Sequence, residues 1–388
     1  MSAKMSKNLQ NLKIQKEQNL SNNATQKEQN PSKKCQSLQK VQNSSQKWYE
    51  KNECAGRFWL KVTLVLVSVF YHPILRPILK LCIAFVTGVY FIFSPDERRN
   101  IARFYENLED FITSKNPQNT RFKQKSWLQR QWQIYGNFYE FGSAICDKIA
   151  SWLGKISHKD IEIIDIDFIK NELMPESNNV ESKKGQILVV SHFGNIEVCR
   201  ALRNEMGEMS KIPLSILMYE KIAKDFIALL RHISKDKESQ NTSQNPTTKS
   251  LPKSYQSIIL VDNLDMDSLL QIKELLDSGV NIGIMGDRVA IQDGFISRGK
   301  NAKFDFLGKP CYFPQGAFFL AGLLNVKISM LWCEKINGKY QIELENISKE
   351  PVKFMRDKSS LSKESQVREL AQKYVTSLQK RAVANPKS

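Results

Sequence analysis

With 388 residues, 25% of them charged and a formal net charge of +17, the chain is long enough for one large globular domain and basic enough to favour acidic partners. Those partners are nucleic acid, anionic lipid headgroups or an acidic protein, and nucleic acid has only charge in its favour, since no zinc-finger spacing, RNA-binding aromatic signature or basic helix with heptads is present. The seven cysteines (Cys35, Cys54, Cys82, Cys146, Cys199, Cys311, Cys333) are odd in number and unpaired in spacing, which argues against a disulfide framework or a Cys/His metal cluster and for thiols in a reducing compartment.

Residues 1–55 form a polar extension. Asn, Gln, Ser and Lys dominate positions 1–50, and Trp48 and Tyr49 are the first aromatics. Such a stretch buries too little apolar surface to offset its ordering entropy and reads as disordered. It also lacks the apolar core and small-residue cleavage site of a secretory signal.

Residues 56–93 are the most hydrophobic region. Two apolar runs, Val62–Leu75 and Ile78–Phe93, meet at Arg76-Pro77. Each is shorter than the roughly 20 residues that cross hydrocarbon comfortably, and Lys61, His72, Pro73, Arg76 and Lys80 interrupt them. The pattern predicts a helical hairpin dipping into one leaflet or an interfacial anchor. A buried core pair and a transmembrane helix are the alternatives. A spanning helix would leave the N-terminus in the cytoplasm, given the Lys/Arg excess over residues 1–61.

Ser94 as N-cap, Pro95 at the first position and acids in the first turn predict a helix through Phe111. Helical spacing resumes from about Ser126 to Leu153, where Trp127, Trp132, Tyr135, Phe138, Tyr139 and Phe141 make an aromatic face suited to a core or to a membrane interface. From Ile161 the texture changes. Strands are predicted at Ile161–Ile166, Ile187–Ser191, Leu214–Tyr219, Ser257–Val261, Val280–Met285, Lys327–Cys333 and Tyr340–Glu345. Helices are predicted at Ile196–Met206, Ile222–His232 and Leu264–Leu276, the last capped by Asn263 and closed by Gly279. The alternation predicts an α/β domain over residues 94–388, with a largely parallel central sheet flanked by helices. The polar stretch 234–254 reads as a surface insertion.

Of four histidines, His72 lies in the hydrophobic region and His158 and His232 sit among polar residues. His192 alone ends a buried strand, ILVVS, ahead of a Gly194-Asn195 turn. Glu197 stands five residues on, and within one helix the two side chains would diverge by about 140°. They converge only if His192 precedes the helix, with Gly194 supplying the turn and Asn195 the N-cap. The helix start would then aim N–H groups at the site. A histidine so oriented suits a general base acting on a hydroxyl or amine.

Two later segments join it. GIMGDRV ends a strand with Asp287-Arg288, at an edge where α/β ligands collect, and the Arg288 guanidinium suits a phosphate. FDFLGKPCYFPQGAFFLAGLLN reads as a hairpin through Gly308-Lys309, a Pro314-Gln315-Gly316 turn and a helix, with Gly316 permitting close backbone approach.

The ordered set His-x4-Glu, Gly-x-x-x-Asp-Arg and Phe-Pro-x-Gly resembles the glycerolipid/lysophospholipid acyltransferase superfamily, most closely its lipid A late-acyltransferase-like branch. The block SHFGNIEVCRAL is similar to that branch's His-Phe-Gly-Asn-x-Glu, and Gln315 stands where the glycerol-phosphate branch usually has Glu. The resemblance covers roughly residues 56–385. Related chains commonly run on into a Trp/Phe-rich tail beyond the position of Asn385-Pro386.

The resemblance implies a glycerolipid-acyltransferase-like fold and fatty-acyl transfer from an acyl carrier protein or acyl-CoA thioester to a hydroxyl or amine of a lipid or lipid-like acceptor. His192 would be the base and Glu197 its orienting acid. Gly194, Asn195, Asp287, Arg288, Pro314 and Gly316 would bind substrate. No metal or resident cofactor is implied, and the enzyme would sit on the cytoplasmic face of an inner membrane. Acyl carrier protein and an anionic membrane surface both complement the positive charge, with Arg200, Arg298, Lys300 and Lys303 as contact candidates. An inert membrane-bound scaffold of the same fold and a lipid or thioester hydrolase are the competing readings.

Overall fold

The computed structural model describes residues 63–72, 74–115, 125–174, 183–200, 212–219, 258–261, 265–289, 291–292, 295–297, 300–354 and 360–387. The polar extension, the insertion at 234–254 and the predicted helix Ile222–His232 lie outside them. Two units divide the chain. Val62–Ala290 with Ile296–Ser388 is one body, which carries the central sheet and its helices. Ile291–Phe295 groups with the other unit, and the short strands β6 (Ile291–Gln292) and β7 (Phe295–Ile296) pair with each other.

Residues 63–70 are helical, and the chain turns at 71–75 before α1 (Arg76–Phe93). The break falls a few residues earlier than the sequence predicts, because Arg76 and Pro77 open the new helix. Proline is tolerated in a first turn, where its missing N–H has no partner to lose. Helix α1 is apolar all round. Leu79, Ile83 and Thr87 are buried against α3 (Trp127–Trp152), while Ile78, Leu81, Phe85, Val89 and Ile92 form an exposed stripe on the other side. By length and composition it could cross a bilayer, with only 17% of its residues buried.

Helix α2 (Pro95–Lys115) starts where predicted, with Asp96 and Glu97 in its first turn. Ser126 caps α3 through a reciprocal capping box with Gln129, satisfying two otherwise orphaned N–H groups. The aromatic face of α3 splits by environment. Phe138 is buried, whereas Trp127, Trp132 and Phe141 are among the most exposed large side chains in the protein.

Seven strands form the central sheet, in the order β1 (Ile161–Ile163), β11 (Lys339–Asn346), β10 (Ile328–Ile336), β2 (Ile187–Val190), β5 (Asn281–Met285), β3 (Leu214–Tyr219), β4 (Ile258–Val261). Only the β10–β11 pair is antiparallel, so the sheet is α/β and largely parallel. All four residues of β2 are buried, as expected of a central strand covered on both faces. Helices α4 (Ile166–Leu173), α5 (Met266–Asp277), α6 (Gly316–Leu324) and α7 (Ser360–Ala384) complete the body. Asp265, whose side chain accepts from the Ser268 N–H, is the N-cap of α5 in place of the predicted Asn263, since two residues separate the end of β4 from the first helical turn more than the pattern suggested.

The main core lies where α5, α6 and α7 meet the sheet and the hairpin β8 (Asn301–Phe306)/β9 (Lys309–Pro314). Tyr374 of α7 stacks on Trp332 of β10 with centroids 5.8 Å apart and planes 5° from parallel. The Arg381 guanidinium carbon lies over the Trp332 ring, 4.6 Å from its centroid, and the group bonds Glu334 at 2.6 Å and Glu343 at 2.8 Å. Stacking and charge together fix the register of α7 on the sheet.

Candidate active site

Strands β2 and β5 are parallel neighbours, with Val190 opposite Met285. The ladder continues one step, as the Gly286 N–H donates to the Val190 carbonyl at 2.8 Å. Counting on, Ser191 faces Gly286 and His192 faces Asp287. Two residues beyond each strand end, the side chains meet. His192 Nδ1 lies 2.9 Å from Asp287 Oδ1. Asp287 Oδ2 accepts from the Ser191 hydroxyl at 2.7 Å and from the His192 backbone N–H at 2.6 Å.

The His192 side chain is 52% exposed and that of Asp287 17%. Burial alone would raise the Asp287 carboxyl, but its bonds to the His192 ring, to the Ser191 hydroxyl and to the His192 N–H outweigh this and hold it below the ordinary carboxylate range. An ionised Asp287 can only accept, so Nδ1 carries the proton. When the ring is neutral, its lone pair is then at Nε2.

The loop carrying His192 is tied down on its other side. Gly194 makes an isolated parallel bridge to Cys333, and the Asn195 N–H donates to the Cys333 carbonyl at 2.9 Å. Gly194 has φ +85°, and a Cβ there would stand 2.1 Å from the Cys333 oxygen. Both conformation and space demand glycine. Gly194→Ala is expected to destabilise the protein by about 2 kcal/mol or more, read as a lower thermal midpoint; an unchanged midpoint would contradict this packing. Asn195 is buried, and its amide donates to the Ala144 carbonyl of α3 at 3.0 Å. Its place is therefore between the loop and α3.

Helix α3 is itself anchored through Asp147. This buried carboxylate accepts from Tyr71 at 2.8 Å, Tyr340 at 2.7 Å and Lys335 at 2.6 Å, linking the segment before α1 with α3, β10 and β11. Burial and the Asp147 charge push the Tyr71 and Tyr340 phenols well above their usual range. Arg76 at the head of α1 pairs with Asp160 at 3.1 Å. The hydrophobic region and the His192 loop thus hang on one polar scaffold.

Beside the dyad lies a cavity of about 300 Å³ whose walls include Phe104, Phe193, Phe306 and Leu378, with Ser191 and Asp287 at its polar end. Its size is at the small end for organic ligands.

The predicted residues distribute as follows. His192, Gly194, Asn195 and Asp287 come together, with Asp287 on the imidazole rather than free for substrate. Glu197 lies in a 3-10 turn, Ile196–Arg200, where an α-helix through Met206 was expected; its side chain and residues 201–206 lie outside the described set, so the ring partner among the described residues is Asp287. Arg288 follows the dyad and is exposed. Pro314 ends β9 opposite Asn301, and Gly316 opens α6 with open space where a Cβ would be; other residues line the cavity. Lys300 and Lys303 are exposed, and the side chains of Arg200 and Arg298 lie outside the described set. Cys82, Cys146, Cys199 and Cys311 are free thiols, in keeping with their scattered spacing. Ser191, Asp147 and Tyr374 escaped sequence reasoning. Only Ser191 had a signal, its place next to the histidine.

No family model matches the sequence, and no curated protein matches it either.

Proposed function

We propose that the protein is a membrane-associated acyltransferase in which His192 deprotonates a hydroxyl or amine of a lipid acceptor. The observation that carries this is Asp287, held ionised against Nδ1, so that the Nε2 of a half-exposed imidazole can accept a proton next to a cavity that Asp287 and Ser191 help to line. The acceptor oxygen or nitrogen attacks the carbonyl of an acyl thioester and passes its proton to Nε2. The new C–O or C–N bond forms, the C–S bond breaks, and the imidazolium returns the proton to the leaving thiolate. Asp287 stabilises the imidazolium in between. Ser191, the hydroxyl next to the histidine, is committed to Asp287, which favours direct transfer over an acyl-enzyme. An acyl chain is the natural occupant of a cavity walled by Phe104, Phe193, Phe306 and Leu378. The motif order His192, Asp287-Arg288, Pro314-Gly316 supports the same class, with acyl carrier protein or coenzyme A as donor carrier.

The exposed stripe of α1 and the outward aromatics of α3, Trp127, Trp132 and Phe141, support attachment to a bilayer. The net charge of +17 favours an anionic, cytoplasmic surface. Leu81 and Phe85 are 71% and 73% exposed, so changing both to Asp removes membrane contact with little loss of packing. The double variant is expected to bind anionic vesicles about a hundredfold more weakly with an unchanged thermal midpoint. Undiminished co-sedimentation would count against attachment through this face.

The reaction is tested by following thiol release from acyl-CoA and acyl-carrier-protein thioesters with and without membrane lipid. Release that requires lipid supports transfer. Release in its absence, with free fatty acid as product, identifies a hydrolase, and no release from any donor leaves a scaffold.

A further inference from the structure

Behind the dyad, in the core, the Tyr374 hydroxyl is short of a well-formed hydrogen bond among the described residues. Tyr374 on α7 is fully buried, held by its stack on Trp332 and by the edges of Phe313 and Phe318. Among the described residues, its hydroxyl is one of three buried side-chain polar atoms without a hydrogen bond of ordinary geometry. A buried phenol normally finds a partner, because an unmade hydrogen bond forfeits the water it gave up. The ring is aimed at the site. A Cβ on Gly286 would stand 2.9 Å from Tyr374 Cζ, the carbon that bears the hydroxyl, and Gly286 immediately precedes Asp287. Glycine there lets the phenol reach the strand end. Among the described residues, Asp287 and Ser191 are the polar groups that act on the phenol, beyond its burial.

Ser191 has the capacity to receive it. The Ser191 oxygen donates its one hydrogen to Asp287 and accepts from the Phe193 N–H at 2.9 Å. A hydroxyl oxygen has two lone pairs, so one remains. We propose that Tyr374 is a positioning residue of the dyad, donating to Ser191 Oγ so that a chain from Tyr374 through Ser191 to Asp287 polarises the carboxylate that holds His192. Each donor in such a chain strengthens the next, and the phenol takes up part of the charge that Asp287 would otherwise present undiluted to the imidazole. The C-terminal helix thereby sets the basicity of a histidine that it does not touch.

This rests on the dyad reading of the site but not on acyl transfer, so its test needs no substrate. The titratable and charged groups concerned are His192 on its loop, Asp287 after β5, Tyr374 on α7 and the exposed Arg288 next in the chain. In the full-length protein, selectively labelled with ¹³C/¹⁵N histidine, the His192 resonance is identified by its loss in His192→Gln and followed with pH. Tyr374→Phe keeps the ring and its stack. Without the donor, Asp287 holds the imidazolium more strongly, and the His192 midpoint is expected to rise by roughly half a pH unit. In a Ser191→Ala background the same change is expected to have no further effect, because the relay is already cut. Asp287→Asn is the control and is expected to lower the midpoint. If Asp287→Asn leaves the midpoint unmoved, the dyad fails and the proposal with it. If it moves the midpoint and Tyr374→Phe does not, the proposal alone is overturned.

Discussion

His192→Ala is expected to lower the rate of acyl transfer by about a thousandfold or more, the scale of a positioned general base. The fold is expected to survive. The imidazole is half-exposed and, among the described residues, its ring bonds Asp287, so truncation opens no cavity in the core. Thermal denaturation of the variant beside the parent protein, together with the thiol-release rate of each, separates loss of chemistry from loss of structure. A variant that folds and retains full activity would remove His192 from the mechanism.

Asp287→Asn is expected to be nearly as damaging, by about 10²- to 10⁴-fold. The amide keeps the shape but loses the charge that stabilises the imidazolium and fixes the proton on Nδ1. It also has a cost in stability. Three donors converge on this carboxylate, from the Ser191 hydroxyl, the His192 N–H and the His192 ring, and an amide nitrogen in place of either oxygen opposes a donor with a donor. Asp287 is held below the usual carboxylate range by those bonds. A group depressed in the folded state contributes stability that is present above its unfolded value and lost as the pH falls through the folded one. The difference in thermal midpoint between the parent protein and Asp287→Asn is therefore expected to be full at neutral pH and to shrink below about pH 4. A difference that persisted unchanged in acid would mean that the carboxylate's charge was not its cause.

Much of this fold could be read directly from local pattern. Leu214–Tyr219 is a strand at the predicted bounds, and the helix expected from about Ser126 to Leu153 runs Trp127–Trp152, because alternation, β-branched runs and helical spacing are short-range signals. The candidate site was legible only in its parts. His192 and Asp287 were each identified at a strand end, yet the acid assigned to the imidazole was Glu197, five residues away. What joins His192 to a residue 95 positions on is the pairing of β2 with β5. That pairing passes over β3 and β4, which lie beyond β5 in the sheet although they precede it in the chain. Register between distant strands leaves no mark in local sequence. Tyr374 was hidden for a related reason. It lies on α7, for which the sequence raised no expectation, and its place at the site follows from Gly286, which lets its hydroxyl end approach. Asn195 is expected as a cap and ligand contact from its place after Gly194, and its amide also donates to the Ala144 carbonyl of α3, a long-range contact of the same kind.

The proposed reaction is the transfer of an acyl group onto a lipid by the dyad of His192 and Asp287. It is tested most directly by incubating the full-length protein with an acyl thioester and membrane lipid, and weighing the lipid products by mass spectrometry beside His192→Ala and Asp287→Asn. The account predicts a lipid heavier by one acyl group, formed one for one with released thiol by the parent protein and reduced to traces by both variants. Free fatty acid in place of that lipid, or the same acylated product from all three proteins, would contradict it.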